Sequence, residues 1–175
     1  MTSNEALLTI AEIAIAIIGF AGIVSALRPK SSSAADALHR LRLRLMVEAS
    51  ASAMIYAFFP FLLVGVVPEQ QTWAIGSGVL ALTSPFHVGS IYSRQRRLFG
   101  SALLRETLLF DTFVIIVAVG VEAVLILNCL GVLFTPRFSG YLLGILLPLG
   151  VAVAMFVRAI FTSNAQGIDQ NLTGN

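Results

Sequence analysis

The hydrophobic positions of the chain form long, nearly unbroken runs, which short polar or basic segments separate. In a helix, a run of about 20 apolar residues crosses a hydrocarbon core roughly 30 Å thick. Five runs approach that length, and they lie at residues 6–27, 45–67, 73–92, 107–134 and 141–161. We therefore predict an all-α integral membrane protein: one bundle of five transmembrane helices in residues 1–161, followed by a polar cytoplasmic tail in residues 162–175.

The third run is the weakest, because the small and polar residues of "GSG" and "TSPFHVGS" dilute it. If it were re-entrant, four crossings would remain and the sidedness of the ends would change. The first run is not a signal peptide of the usual kind, because "MTSNE" lacks a positively charged region ahead of it. We therefore expect the first run to remain in the mature protein.

The basic residues favour five crossings over four. With five, ten of the eleven Lys and Arg residues fall on one side, and Arg137 is the exception. Cytoplasmic segments beside membrane spans carry such an excess of positive charge. This predicts an outside N-terminus and a cytoplasmic C-terminus. The cytoplasmic basic loops contain six of these arginines: Arg40, Arg42, Arg44, Arg94, Arg96 and Arg97.

Composition excludes several classes of protein. With 57% hydrophobic residues, 11% charged residues and a mean hydropathy of +0.90, the chain cannot form a water-facing shell. Cys129 is the single cysteine, so a disulfide framework and a dithiol redox centre are excluded. The basic residues flank spans, so they predict topology and contact with the lipid bilayer rather than nucleic-acid binding. We predict no cofactor and no metal site, in a multi-pass protein of the bacterial inner membrane.

The helix of the second run is expected to begin at Ala34, ahead of the run itself. Ser33 can cap its first N–H groups, and Asp36 lies close to its positive end. Four residues separate Arg44 from Glu48, so the two side chains share a face and can form an ion pair near the cytoplasmic interface. That pair accounts for Glu48 without a functional role.

Glu122 is the most unusual residue of the fourth run, since it interrupts hydrocarbon close to the middle. An acid at that depth costs about 2.5–3.5 kcal/mol on insertion scales, and no Lys or Arg lies deep in any run to pair with it. Two states are open. The acid is either protonated and hydrogen-bonded to a neighbouring helix, or ionised in a hydrated cavity as part of an ion or proton path.

Three further polar residues are candidates for the same path. Asp111 shares a helical face with Glu122, and about 16 Å along the axis separates the two acids. Glu12 lies in the same outer half of the bilayer as Glu122, so two acids can face one cavity. His87 follows Pro85 in the third run and titrates near neutral pH when unperturbed, although a lone histidine often only bonds a neighbouring helix.

Small residues on the first run predict close packing between helices. Gly19 and Ala26 cluster with Glu12 on one face, with Gly22 at its margin. Small residues let neighbouring backbones approach closely in a membrane. Because a chain of this size has little room for a wide aqueous path, we expect copies to assemble and repeat each carboxylate as a ring.

The leading functional hypothesis is a homo-oligomeric cation or proton channel or transport protein, which uses the intramembrane carboxylates. The alternative is a non-conducting membrane module that docks or regulates a partner protein through its cytoplasmic loops. An enzyme is not favoured, because the runs contain no nucleophile with a base and no set of metal ligands. Ion flux from purified protein would separate the first two.

Overall fold

The computed structural model describes residues 2–27, 34–132 and 137–173, and these residues are predominantly helical, with no strand. A 3₁₀ turn at Phe59–Leu62 follows the second of four helices. The helices are α1 (Ser3–Leu27), α2 (Ala34–Phe58), α3 (Glu69–Leu130) and α4 (Phe138–Thr173). Each contributes to one segment that is long and apolar enough to cross a membrane. The four segments are Ser3–Leu27, His39–Leu62, Thr112–Leu130 and Phe138–Val157.

The chain divides into two compact units. The first contains Met1–Leu8 and Ile55–Leu147, and therefore holds all of α3 together with the start of α4. The second contains Thr9–Met54 and Pro148–Asn175. In the second unit, the rings of Phe20 and Phe156 pack edge to face, with their centroids 4.7 Å apart. Glu122 lies in the first unit and Glu12 in the second.

α1 begins with a reciprocal cap. The backbone N–H of Thr2 donates to Glu5 Oε2 at 2.7 Å, and the Glu5 N–H donates to Thr2 Oγ1 at 3.3 Å. These bonds satisfy two of the free N–H groups at a helix start. The predicted span at residues 6–27 therefore begins three residues earlier, at Ser3, and ends at Leu27 as expected.

α2 confirms two local predictions. It begins at Ala34, although Ser33 itself, with the rest of residues 28–33, lies outside the described residues. Arg44 Nε donates to Glu48 Oε1 at 2.8 Å, which is the predicted ion pair. The α-helix then ends at Phe58, because Pro60 has no N–H to donate. A 3₁₀ turn therefore follows at the end of the helix.

The connection predicted as a loop between the third and fourth runs has a helical backbone in α3. The backbone of α3 is helical from Glu69 to Leu130, which includes the positions of Arg94, Arg96 and Arg97. The side chains of these arginines lie outside the described part. Arg40, Arg42 and Arg44, named with the cytoplasmic basic loops, stand on α2, within the helix predicted to begin at Ala34. The basic segment carries no apolar periodicity. Its helical structure therefore could not be recognised from the sequence, which indicated a loop instead.

α3 is a hairpin rather than one straight rod. A straight helix would separate Ser77 from Asn128 by about 77 Å, yet Asn128 Nδ2 donates to Ser77 Oγ at 2.8 Å. Closer to the bend, about two helical turns along each arm, Ser84 Oγ donates a hydrogen bond to Glu122 Oε2. The chain therefore reverses direction between Ser84 and Glu122, and two antiparallel arms pack together. We name residues 69–86 the first arm and Thr112–Leu130 the second arm.

A left-handed glycine ends the second arm. Gly131 has φ 76°, and its N–H donates to the Asn128 carbonyl at 3.1 Å, while Val132 N–H donates to the Leu127 carbonyl at 3.0 Å. This pair of bonds closes a helix C-terminus only when the residue after it has positive φ. A Cβ at Gly131 would also collide with the guanidinium of Arg137. The backbone angle therefore requires glycine here, while the Arg137 side chain would have to move aside for a Cβ.

Candidate intramembrane polar site

Glu122 lies on the face of the second arm that turns towards the first arm. The residues on this face are partly or wholly covered at intervals of three or four, whereas Val119 and Ile126 are exposed. Ser84 Oγ donates a hydrogen bond to Glu122 Oε2. The carboxyl group is half-buried. Glu122 is therefore hydrogen-bonded to a neighbouring helical segment.

Glu122 also lies at the centre of its span. The second arm runs from Thr112 to Leu130, so its central residue is Val121 and Glu122 follows directly. In the described part of the chain, no Lys or Arg side chain forms an ion pair with this carboxyl group. A polar group at this depth depends on neighbouring protein groups for its stabilisation. The serine hydroxyl of the first arm supplies that contact.

Asn128 forms a second polar contact between the arms, which the sequence analysis missed. It is fully buried, and its Nδ2 donates both to Ser77 Oγ and to the Arg137 carbonyl, each at 2.8 Å. Its Oδ1 accepts no hydrogen bond within the described residues. The only sequence signal was a single amide near the end of an apolar run, and periodicity cannot tell whether such an amide faces lipid or protein.

Two glycines bring α4 against the second arm. A Cβ added at Gly140 would lie 2.5 Å from Asn128 Cγ, and one at Gly144 would lie 2.6 Å from Leu125 Cδ2. The spacing G-x-x-x-G typically permits close approach of membrane helices. The sequence contains this spacing at Gly140 and Gly144, but close packing was predicted only at the glycines of α1. These contacts fix the position of the second arm, and so of Glu122.

Tyr141 fills the space between these elements. It is buried, and its ring packs beside Trp73 with the ring centroids 5.8 Å apart. A Cβ at Gly76 would lie 2.7 Å from Tyr141 Cε2, so glycine is needed beside the ring. Trp73 and Tyr141 lie near the ends of apolar runs, where aromatic residues are typical interfacial anchors. Both side chains are instead buried in protein.

The other predicted path residues are not brought to this site by any described contact. Glu12 stands on the exposed face of α1, in the second unit. His87 and Asp111 lie on helical backbone of α3, but their side chains fall outside the described part. Of the four residues predicted for an ion or proton path, Glu122 is therefore the one whose contacts the structure describes at this site.

The small-residue face of α1 is uncovered. Gly19, Gly22 and Ala26 are exposed, and a Cβ built at either glycine would meet no atom within 4 Å. The opposite face of the same helix is buried through Ala11, Ala14 and Ala21. The predicted packing face of α1 is thus left free of described contacts.

Comparison of the chain with known proteins identifies no relative. No protein-family model, no curated protein and no solved structure matches the chain.

Proposed function

We propose that the protein is a homo-oligomeric cation or proton transport protein, in which Glu122 is the intramembrane ion-binding residue. The proposal includes five crossings, an outside N-terminus, a cytoplasmic C-terminus and a location in the bacterial inner membrane. The observation that carries it is the position of Glu122: a half-buried carboxyl group, one residue from the centre of its span, hydrogen-bonded to Ser84 of the opposite arm.

A central acid in this environment favours a functional role. Ionisable residues within membrane spans are costly, and they typically mark ion or proton pathways. The apolar neighbours Ile116 and Val119 are exposed, whereas Glu122 turns towards the other arm and remains partly accessible. The side chain is therefore not fully enclosed within one copy of the chain, and its uncovered part is open to a bound ion or to a neighbouring copy.

The hairpin of α3 supports the fifth crossing. In an antiparallel pair the residue numbers of partners add up to a constant, which is 205 for Ser77 with Asn128 and 206 for Ser84 with Glu122. The partners of Thr112–Leu130 are therefore about residues 76–94, which closely match the third apolar run. A segment in lateral contact with a membrane span shares its depth. If the second arm crosses the bilayer, the first arm crosses it too.

The exposed face of α1 supports assembly of several copies. Glu12, Ala16, Gly19 and Ile23 are all exposed there, and only lipid or another protein surface can cover them in a bilayer. An acid in contact with lipid is unfavourable. Close packing of small-residue faces from neighbouring copies would remove Glu12 from lipid. Assembly would also repeat Glu122 in every copy.

Flux from purified protein in liposomes tests the proposal. We expect the parent to conduct a monovalent cation or protons, and Glu122→Gln to reduce that flux strongly, because glutamine keeps the shape of the side chain but removes its charge. Glu48→Gln is the matched control, since Glu48 is already paired with Arg44. Equal flux through the parent and Glu122→Gln would refute the role of Glu122. A correctly folded parent without flux would favour the non-conducting module.

A further inference from the structure

Pro60 and Pro85 each lack the N–H group that would bond a backbone carbonyl four residues earlier. The two carbonyls left free in this way differ in their surroundings. Pro60 cannot donate to the carbonyl of Tyr56, four residues earlier. The hydroxyl of Tyr141 donates to that carbonyl instead, at 2.6 Å. The fold thus supplies a substitute donor in a region where an unsatisfied carbonyl is costly.

Pro85 leaves the carbonyl of Ala81 free in the same way. No described side chain donates to Ala81, although the neighbouring Thr83 hydroxyl bonds the carbonyls of Val79 and Leu80. Ala81 and Ser84 are three residues apart, so they lie on the same face of the first arm. That is the face on which Ser84 meets Glu122.

A carboxylate, a hydroxyl and a backbone carbonyl without its helical donor therefore all lie within one helical turn of Ser84. Oxygen ligands of this type suit hard cations, and carbonyls at helix interruptions coordinate sodium in membrane transporters. A proton needs one acceptor only. We propose that the species bound at Glu122 is a partly dehydrated monovalent metal cation of about the size of Na⁺, held by the Glu122 carboxylate, the Ser84 hydroxyl and the Ala81 carbonyl.

The charge of the site selects a monovalent over a divalent ion. Glu122 supplies one negative charge, so a monovalent cation makes the site neutral, whereas a divalent one leaves a net charge inside the membrane, which is costly. No group of three His, Cys, Asp or Glu residues that would suit a divalent metal occurs in the described part of the chain. This inference rests on the proposed function for the location of the site. Of the cation and the proton that the proposed function leaves open, it selects the cation.

Chemical labelling of Glu122 tests the inference without measuring flux. A hydrophobic carbodiimide modifies protonated carboxyl groups within membranes, and a bound cation protects them. The full-length protein in lipid nanodiscs would be labelled at one fixed pH, in sodium chloride or in the chloride of a large organic cation at equal ionic strength. We expect sodium to slow the labelling of Glu122 in a saturable manner. Sodium-independent labelling of Glu122 would overturn the inference and leave the proton as the bound species.

Two variants test the proposed ligands. Ser84→Ala removes the hydroxyl and should raise the sodium concentration for half-protection about five- to tenfold, as expected for the loss of one such contact. Pro85→Ala returns an N–H donor to the Ala81 carbonyl and should also weaken protection. Pro148→Ala is the matched control, because it also restores a donor inside an apolar helix but leaves the Ala81 carbonyl unchanged. Unchanged protection in Pro85→Ala would overturn the role of the carbonyl.

The experiments distinguish failure of the sodium site from failure of the proposed transport function. Sodium protection of Glu122 in a protein that conducts no ion would support the binding site and refute transport. Flux that depends on Glu122 but not on sodium would support transport and overturn the sodium site.

Discussion

The hydroxyl of Tyr141 donates to the carbonyl of Tyr56 at 2.6 Å, across 85 residues of chain. This carbonyl is the one that Pro60 deprives of its helical donor. The proline that ends α2 and the tyrosine near the start of α4 therefore act as a pair: the first creates an unsatisfied acceptor, and the second satisfies it within the first unit.

Tyr141→Phe should lower the free energy of unfolding by about 1–3 kcal/mol, because it leaves a buried carbonyl without a donor. Reversible unfolding in mixed detergent micelles measures this change. Tyr56→Phe is the control, since it removes a hydroxyl that bonds Thr83 at an exposed position, and it should cost less.

A double-mutant cycle with Pro60→Ala tests whether the loss of stability in Tyr141→Phe comes from the Tyr56 carbonyl. Alanine at residue 60 supplies an N–H, so the loss caused by Tyr141→Phe should shrink in that background. An equal loss in both backgrounds would contradict the pairing of Pro60 with Tyr141 and would attribute the effect to packing alone.

Gly140→Ala should destabilise the protein by about 1–3 kcal/mol, because a Cβ there overlaps the fully buried Asn128. Gly144→Ala should cost less, since it meets only the methyl end of Leu125, which can shift. Gly150→Ala is the control on the same helix, where a Cβ meets nothing within 4 Å. Unfolding curves of the three variants check the order, and a loss in Gly150→Ala equal to that in Gly140→Ala would contradict it.

Labelling with a membrane-impermeant maleimide checks the five-crossing topology. In a Cys129→Ala background, a cysteine at Gln70 should react from outside, whereas one at Ser93 should react only after the membrane is opened. Both residues are exposed, so burial in protein does not limit their reaction. If both react from outside in intact cells, the first arm does not cross, and the count falls to four.

Gly19→Leu should weaken the oligomer in mild detergent, because a large side chain on the exposed face of α1 prevents close approach. Light scattering coupled to size-exclusion chromatography measures the mass of the assembly. Gly120→Leu places the same side chain at another open position, on the second arm, and should leave the mass unchanged. An oligomer unaffected by Gly19→Leu would exclude assembly through α1.

Hydropathy and local spacing were sufficient to predict the features of single helices. The four segments long and apolar enough to cross a membrane, the start of α2 at Ala34 and the Arg44–Glu48 pair all depend on residues close in sequence. Each follows from helix periodicity or from the four-residue repeat of a helix face.

The contacts between helical segments could not be predicted in this way. Periodicity gives a face to each helix, but it does not say which faces meet. Asn128 was therefore not recognised as a contact of Ser77, 51 residues away, and the partner of Glu122 was left open. The helical continuity of α3 was missed for a related reason, since a basic segment carries no apolar repeat.

The sequence separation of these contacts sets an order for membrane insertion. Both arms of α3 precede α4 along the chain, so Ser84 can meet Glu122 before α4 has entered the bilayer. The Tyr56 carbonyl must wait for Tyr141. Until α4 enters the bilayer, the end of α2 carries an unsatisfied acceptor, and Asn128 lacks the Arg137 carbonyl. The last helix to be synthesised thus completes the hydrogen bonding of helices inserted before it.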